Sequence, residues 1–140
     1  MEQIKSRPEL PLYRLYVLRA AYLLLGLGQG SKTWPAVLHH TQPWDFWHGV
    51  GMSLFGALTL ISLLGVRYPV RMVPMMFFEF TWKLIWLLAA WLPAYQGHTM
   101  DRDIADSFSG IFPGVVIVPL VLPWRYLWKT YVTTPGDRWR

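Results

Sequence analysis

Four apolar stretches alternate with short connectors along this chain. The clearest runs from Phe46 to Val66, 21 residues without a formal charge and with His48 as its one ionisable side chain. A helix needs about 20 apolar residues to cross the hydrocarbon core of a bilayer, so this segment is long enough to span. A second stretch, about Met72 to Leu92, carries Glu79 and Lys83 inside it, and that face needs protein or water around it. The stretch from Leu12 to Gly30 holds Arg14 and Arg19 in its first half, followed by an uncharged run from Ala20 to Ser31. Arg19 would interrupt the apolar core of a cleaved signal peptide, so the segment is read as a permanent helix. The last stretch has an uncharged core from Ser107 to Trp124. Ahead of it, Ile104, Phe108 and Ile111 repeat at helical spacing, with Thr99 as a candidate N-cap. The pattern predicts a single all-α domain over residues 1–140, a compact integral membrane four-helix bundle with spans at 12–30, 46–66, 72–92 and 107–126.

Composition agrees with lipid as the solvent. The chain is 54% hydrophobic and only 15% charged, against roughly 25% charged in a typical soluble domain. With no cysteine, disulfides, thiolate metal ligands and a cysteine nucleophile are excluded. The net charge of +5 comes from basic side chains beside the apolar stretches. Lipid headgroups and insertion topology account for them there, so membrane lipids are expected partners and nucleic acid is not. Ten of these residues (Lys5, Arg7, Arg14, Arg19, Arg67, Arg71, Arg125, Lys129, Arg138 and Arg140) fall on one side of the predicted spans. Lys32 and Arg102 fall on the other, and Lys83 lies within. Basic connectors stay on the cytoplasmic side during insertion, which predicts both termini in the cytoplasm (N-in, C-in) and a bacterial plasma (inner) membrane location.

Lipid gives helices no hydrophobic reason to associate, so small residues and buried polar contacts must hold them. Gly49, Ser53 and Ala57 recur four residues apart and predict a packing stripe on the second span, facing a neighbouring helix, a second copy of the chain or a larger membrane complex. Gly26, Gly28 and Gly30 permit close crossing or loosening of the first span. Pro113, Pro119 and Pro123 each remove a backbone donor and predict a kinked fourth span. The connector from Ser31 to Asp45, with Pro35 and Pro43, is expected to lie along the outer interface as a lid.

Two polar constellations stand out. Glu79 and Lys83 are one turn apart in the favourable order for an ion pair. Trp82 and Trp86 flank them on the same helix, where an indole can offer a cation–π contact. Counted from the helix starts, Arg19 lies at the depth of Glu79 and is a candidate third member. Together they make either a bundle-locking salt bridge or a ligand or proton-binding site, because intramembrane charges are costly. The second constellation is His39, His40, His48 and His98, all on the predicted outer side with Asp45. Imidazole and carboxylate can hold a transition metal, and a haem can take axial histidines. Against this, the two adjacent histidines cannot share a helix face, and Asp45 serves equally well as the N-cap of the second span. No cofactor is assigned on this pattern alone.

No nucleophile elbow, Ser-x-x-Lys pair or phosphate-cradling loop occurs, so conventional hydrolase and nucleotide chemistry are disfavoured and enzymatic activity stays open. The leading expectation is a non-enzymatic accessory or scaffold subunit. The alternatives are a small-molecule, lipid or proton-coupled carrier using Arg19, Glu79 and Lys83, and a metal- or haem-dependent membrane oxidoreductase using the outer histidines.

Overall fold

The computed structural model describes residues 10–137 and 139, all but α-helical or π-helical apart from short links. Lys5, Arg7, Arg138 and Arg140, four of the basic residues counted above, lie outside the described residues. Helix α1 (Leu12–Leu23) runs through a π-helical stretch (Leu24–Gln29) into α2 (Gly30–His39). Next come α3 (Phe46–Arg67), α4 (Val73–Trp86), a second π-helical stretch (Leu87–Trp91) and α5 (Leu92–Gln96), then α6 (Arg102–Val121) and α7 (Trp124–Trp128). No strand occurs among the described residues. Three helical runs are long and apolar enough to cross a membrane: Phe46–Arg67, Val73–Gln96 and Arg102–Val121.

Local chemistry sets most boundaries. Asp45 caps α3 by accepting a hydrogen bond from the His48 N–H at 3.0 Å, which satisfies one of the orphan donors of the first turn. Asp101 does the same for α6 through the Ile104 N–H at 2.8 Å, so the helix starts there and not at Thr99. Helix α6 ends at Val121 because Leu122 turns extended ahead of Pro123, a conformation that a following proline favours. The expected 107–126 span is therefore displaced toward the N-terminus, and α7 is a separate element.

The first helix departs furthest from expectation. It does not stop at Gly30; the joining residues keep right-handed helical geometry and the helix continues through Pro35 to His39. The predicted lid from Ser31 to Asp45 is thus mostly helix, and only residues 40–45 form the link. Proline inside a helix removes one donor and pushes away the carbonyl four residues earlier. Here that carbonyl belongs to Ser31, just after a widened π turn, and the Ser31 hydroxyl donates to the Gly28 carbonyl at 2.8 Å.

The helices pack as two pairs. In the first, the α1–α2 run lies along α3, and small residues alternate with large ones across the seam. A Cβ on Gly65 would overlap the ring of Tyr22, one on Gly26 would come within 2.7 Å of Leu63 and 2.8 Å of Ser62, and one on Gly30 would meet Thr59 at 3.6 Å. Higher up, the Trp34 ring lies over Gly56, where a Cβ would touch it at 3.5 Å, and its indole N–H donates to the Thr59 hydroxyl at 2.9 Å. The packing face of α3 is therefore Gly56, Thr59, Ser62 and Gly65, all buried. The predicted stripe is not that face: Ser53 and Ala57 are exposed and Gly49 only half-buried. Helix α3 carries two rows of small residues, and only the row opposite Tyr22 and Trp34 is filled within the chain.

In the second pair α4 packs on α6, with Trp91 stacked on Phe108 at 4.7 Å between ring centres. The pairs join at the end where Arg67 and Arg71 lie, the basic end, through one apolar cluster of Leu18, Tyr22, Val73, Met76, Val118 and Leu122. The Tyr22 hydroxyl donates to the Pro69 carbonyl at 3.0 Å and pins α1 to the α3–α4 link. Beyond this plug α2 stays with α3, and α3 still meets α4 through Phe55 against Trp82 at 5.2 Å between ring centres, but the first helix and α6 separate. The expected compact bundle is thus closed at one end and split at the other.

Candidate functional site

The split forms a cleft of about 450 Å³ between the first helix and α6, with α4 as its back wall. Leu24, Leu25, Ile117 and Val118 give it apolar sides; Lys32, Glu79 and Lys83 are its charged groups. The plug residues Met76 and Val118 lie at its base.

Glu79 and Lys83 are only 2% and 8% exposed. One turn apart on α4, they form a direct ion pair through Glu79 Oε1. The other carboxylate oxygen, Oε2, accepts a hydrogen bond from the Trp82 indole N–H at 2.7 Å. Oε1 accepts no hydrogen bond besides the contact with Lys83. The Lys83 ammonium also lies 5.5 Å from the centre of the Trp82 ring, within reach of a cation–π contact. Its stem crosses α6 at Gly114, where a Cβ would come within 2.5 Å of Nζ and 2.9 Å of Cδ. Glycine at that position is what lets the lysine lie flat between α4 and α6. Pro113 and Pro119 remove the helical donors of the Ser109 and Val115 carbonyls; Pro113 itself lines the cleft beside Gly114.

The sequence-predicted members separate into those the fold assembles and those it does not. Glu79, Trp82 and Lys83 come together. Trp86, one turn on, is half-buried and shows no polar contact to the pair among the described residues. Arg19 goes elsewhere: its Nε donates to the Val66 carbonyl at 3.0 Å, and its guanidinium lies 5.4 Å from the Tyr16 ring centre. There it satisfies one of the four orphan carbonyls at the C-terminus of α3, where a positive charge also complements the helix dipole. Counting depth from Pro11 and Arg71 placed Arg19 beside Glu79 only because the first helix was expected to begin crossing at its start. Its contacts with Gly65 and Val66 show that the part lying along α3 begins near Arg19.

That same shift in register brings in a residue missed from sequence. Gly30 meets Thr59, so Lys32 belongs to the helix wall of the cleft and not to an outer connector. The available signal was the row Tyr22, Gly26, Gly30 and Thr33, spaced by four, four and three, which continues the buried face past Gly30.

The outer histidines are dispersed. His40 stacks on Trp44 at 3.9 Å between ring centres, and His48 tilts against the same indole at 5.3 Å, so Trp44 stands between the two imidazoles. His40 Nδ1 is within 3.0 Å of the Val37 carbonyl, Asp45 is engaged as a cap, His39 ends α2, and His98 holds a positive φ of 51° in the link after α5. Among the described residues, no three of His, Asp and Glu converge in a way that could hold a metal ion.

The chain matches no protein-family model, no characterised protein and no solved structure. Functional inference rests on the cleft itself.

Proposed function

We propose that this is a four-span integral membrane protein of a bacterial plasma membrane, with both termini cytoplasmic, that binds a small molecule in its cleft as a carrier does. Support for the fourth span comes from packing. The α1–α2 run follows α3 from Gly65 to Gly56, so it crosses wherever α3 crosses, despite the polar Gln29, Ser31 and Lys32 that lower its own hydropathy. The orientation rests on the basic residues. With Lys32 moved into the cleft, Arg102 is the one Lys or Arg left on the side opposite the basic end, which strengthens the asymmetry that insertion reads.

One observation carries the ligand-binding reading: a buried ion pair forms the wall of a cleft that the fold leaves unfilled. A salt bridge serving only to lock helices needs no cavity beside it; Glu79 and Lys83 are nearly covered by protein, and the little surface they keep borders the cleft. This one borders about 450 Å³ of space, closed at the basic end and open away from it, which is the geometry of a carrier facing one side of the membrane. The test is thermal unfolding in lipid nanodiscs against small carboxylates, amines and amides. At least one class should raise the melting temperature of the parent, and Glu79→Gln should lose that shift. An unaltered shift in the variant would remove the site, and no response to any class would remove the reading.

A second reading, an accessory subunit that docks through α3, is favoured by the outward face of that helix. Gly49, Val50, Ser53 and Leu54 line a shallow groove of about 530 Å³ that the chain itself leaves uncovered.

A further inference from the structure

We infer that the cleft's ligand is an organic anion, held between the ammonium groups of Lys32 and Lys83. This rests on the ligand-binding reading above and adds to it the sign of the ligand's charge and a second contact residue.

Thr59 is eight residues from the Arg67 end of α3 and 13 from the Phe46 end, or about 12 Å and 20 Å at 1.5 Å per residue. Gly30 packs on Thr59, and Lys32 lies two residues farther from the basic end. Its backbone is therefore close to the middle of the helix that most clearly spans, at a level where an ammonium cannot rest against lipid without a partner.

Charge comes next. Lys32, Lys83 and Glu79 are the charged side chains lining the cleft, so it carries one net positive charge when all are ionised. Glu79 does not balance both lysines: its oxygens are taken by Lys83 and by Trp82. Among the described residues Lys32 forms no ion pair with any carboxylate; Glu79 to Lys83 is the one pair there. Lys32 is exposed toward the cleft, and at this depth in a bilayer an ammonium without a counter-charge is costly. An anion entering the cleft supplies the missing charge, and its oxygens have two ammonium groups to accept from.

The remaining lining narrows the class. Leu24, Leu25, Ile117 and Val118 offer an apolar enclosure that suits a carboxylate or phosphate ester with a hydrophobic body and gives nothing to a small hydrated ion. The plug of Leu18, Tyr22, Met76, Val118 and Leu122 closes the basic end, so the anion arrives from the opposite end or sideways between α2 and α6. The first route suits a dissolved organic acid and the second an anionic lipid. Both present the same chemistry to Lys32 and Lys83.

The test uses three molecules of one shape and different charge, benzoate, benzamide and benzamidine, with the full-length protein in nanodiscs of phosphatidylcholine. Benzoate should raise the melting temperature and benzamidine should not. Lys32→Gln, at an exposed position that leaves the core intact, should weaken the benzoate response about tenfold in apparent affinity, the scale of one charge-assisted hydrogen bond. Lys32→Arg should keep most of it. In discs containing phosphatidylglycerol, loss of the benzoate response, together with lipid retained by the parent but not by Lys32→Gln in native mass spectrometry, assigns the anion to a lipid headgroup. A benzoate response that persists there assigns it to a dissolved acid. Stabilisation by benzamidine or benzamide in place of benzoate overturns the anion and leaves a ligand cleft standing. A benzoate response unchanged in Lys32→Gln also overturns it and returns Lys32 to the role of a side chain reaching for the interface. No response to any of the three, with no phosphatidylglycerol retained, sinks the ligand cleft as well.

Discussion

The two seams of the first helix are built on opposite principles. Toward α3 it is closed: Gly26, Gly30, Gly56 and Gly65 let backbones approach, and Tyr22 and Trp34 fill what the glycines leave. Toward α6 the same helix is held only at the plug, and beyond it presents Gln29, Ser31 and Lys32 to open space. Small residues facing aromatic ones make a contact that lipid cannot replace, whereas charges facing charges across a gap make a place for something else. On the ligand-binding reading proposed above, a helix with one seam of each kind separates the task of holding the fold from the task of meeting a ligand.

The comparison breaks most sharply at Gly65. Its Cβ position is occupied by the ring of Tyr22, which is fully buried and anchored through its hydroxyl to Pro69. The ring cannot swing away without leaving the plug. Gly65→Ala should therefore cost at least the 1–3 kcal/mol (about) that overpacking a filled core costs, seen as a large drop in melting temperature in detergent. An unaltered melting temperature would mean that α1 is free to shift along α3, and the register on which the depth of Lys32 depends would fall with it.

Next in size is Lys83. Replacing it by Met leaves the Glu79 carboxylate buried with Trp82 as its one hydrogen-bond donor, and orphaning one member of a buried pair costs about 3–5 kcal/mol. The double variant Glu79→Gln with Lys83→Met removes both charges and should recover most of that loss, since apolar or neutral replacements of a whole pair are often near neutral. Comparing single and double variants separates a pair kept for structure from one kept for binding. Recovered stability together with a lost ligand response is the result expected here. If the double variant is as unstable as the single, the pair holds α4 to α6 and the cleft is incidental.

How much of this was legible in the sequence follows from which forces act locally. The α3 and α4 helices, the Asp45 cap and the Glu79 to Lys83 pair depend on residues within a turn or two of each other, and periodicity, capping chemistry and i, i+4 spacing reveal them. The position of the first helix does not. Pro35 and three glycines read as an ending and outweigh the row of Tyr22, Gly26, Gly30 and Thr33; the fit of Tyr22 and Trp34 against the glycines of α3 fixes where the helix lies. That one displacement carries Arg19 out of the candidate site and Lys32 into it. Which small-residue face of α3 packs within the chain was not legible for a related reason. Gly49, Ser53 and Ala57, four residues apart, and Gly56, Thr59, Ser62 and Gly65, three apart, each line one helix face, and the choice between them is made by side chains on another helix.

The smallest effect on folding is expected at that unused row. Ser53 is exposed and faces away from α1 and α2, so Ser53→Leu should change the melting temperature of the monomer by no more than the roughly ±0.5 kcal/mol usual for surface substitutions. A row of small residues, however, lets another backbone come close, and a leucine standing in it holds that backbone off. If the outward face of α3 is where a second copy or a larger membrane partner sits, Ser53→Leu should lower the fraction of associated protein in cross-linking from native membranes while leaving the fold and the benzoate response alone. Thr59→Leu, on the buried row, should do the reverse, collapsing stability because the Trp34 contact is lost. Intact association in Ser53→Leu would show that the groove of Gly49 and Ser53 faces lipid, and the case for a partner molecule would then rest on the cleft.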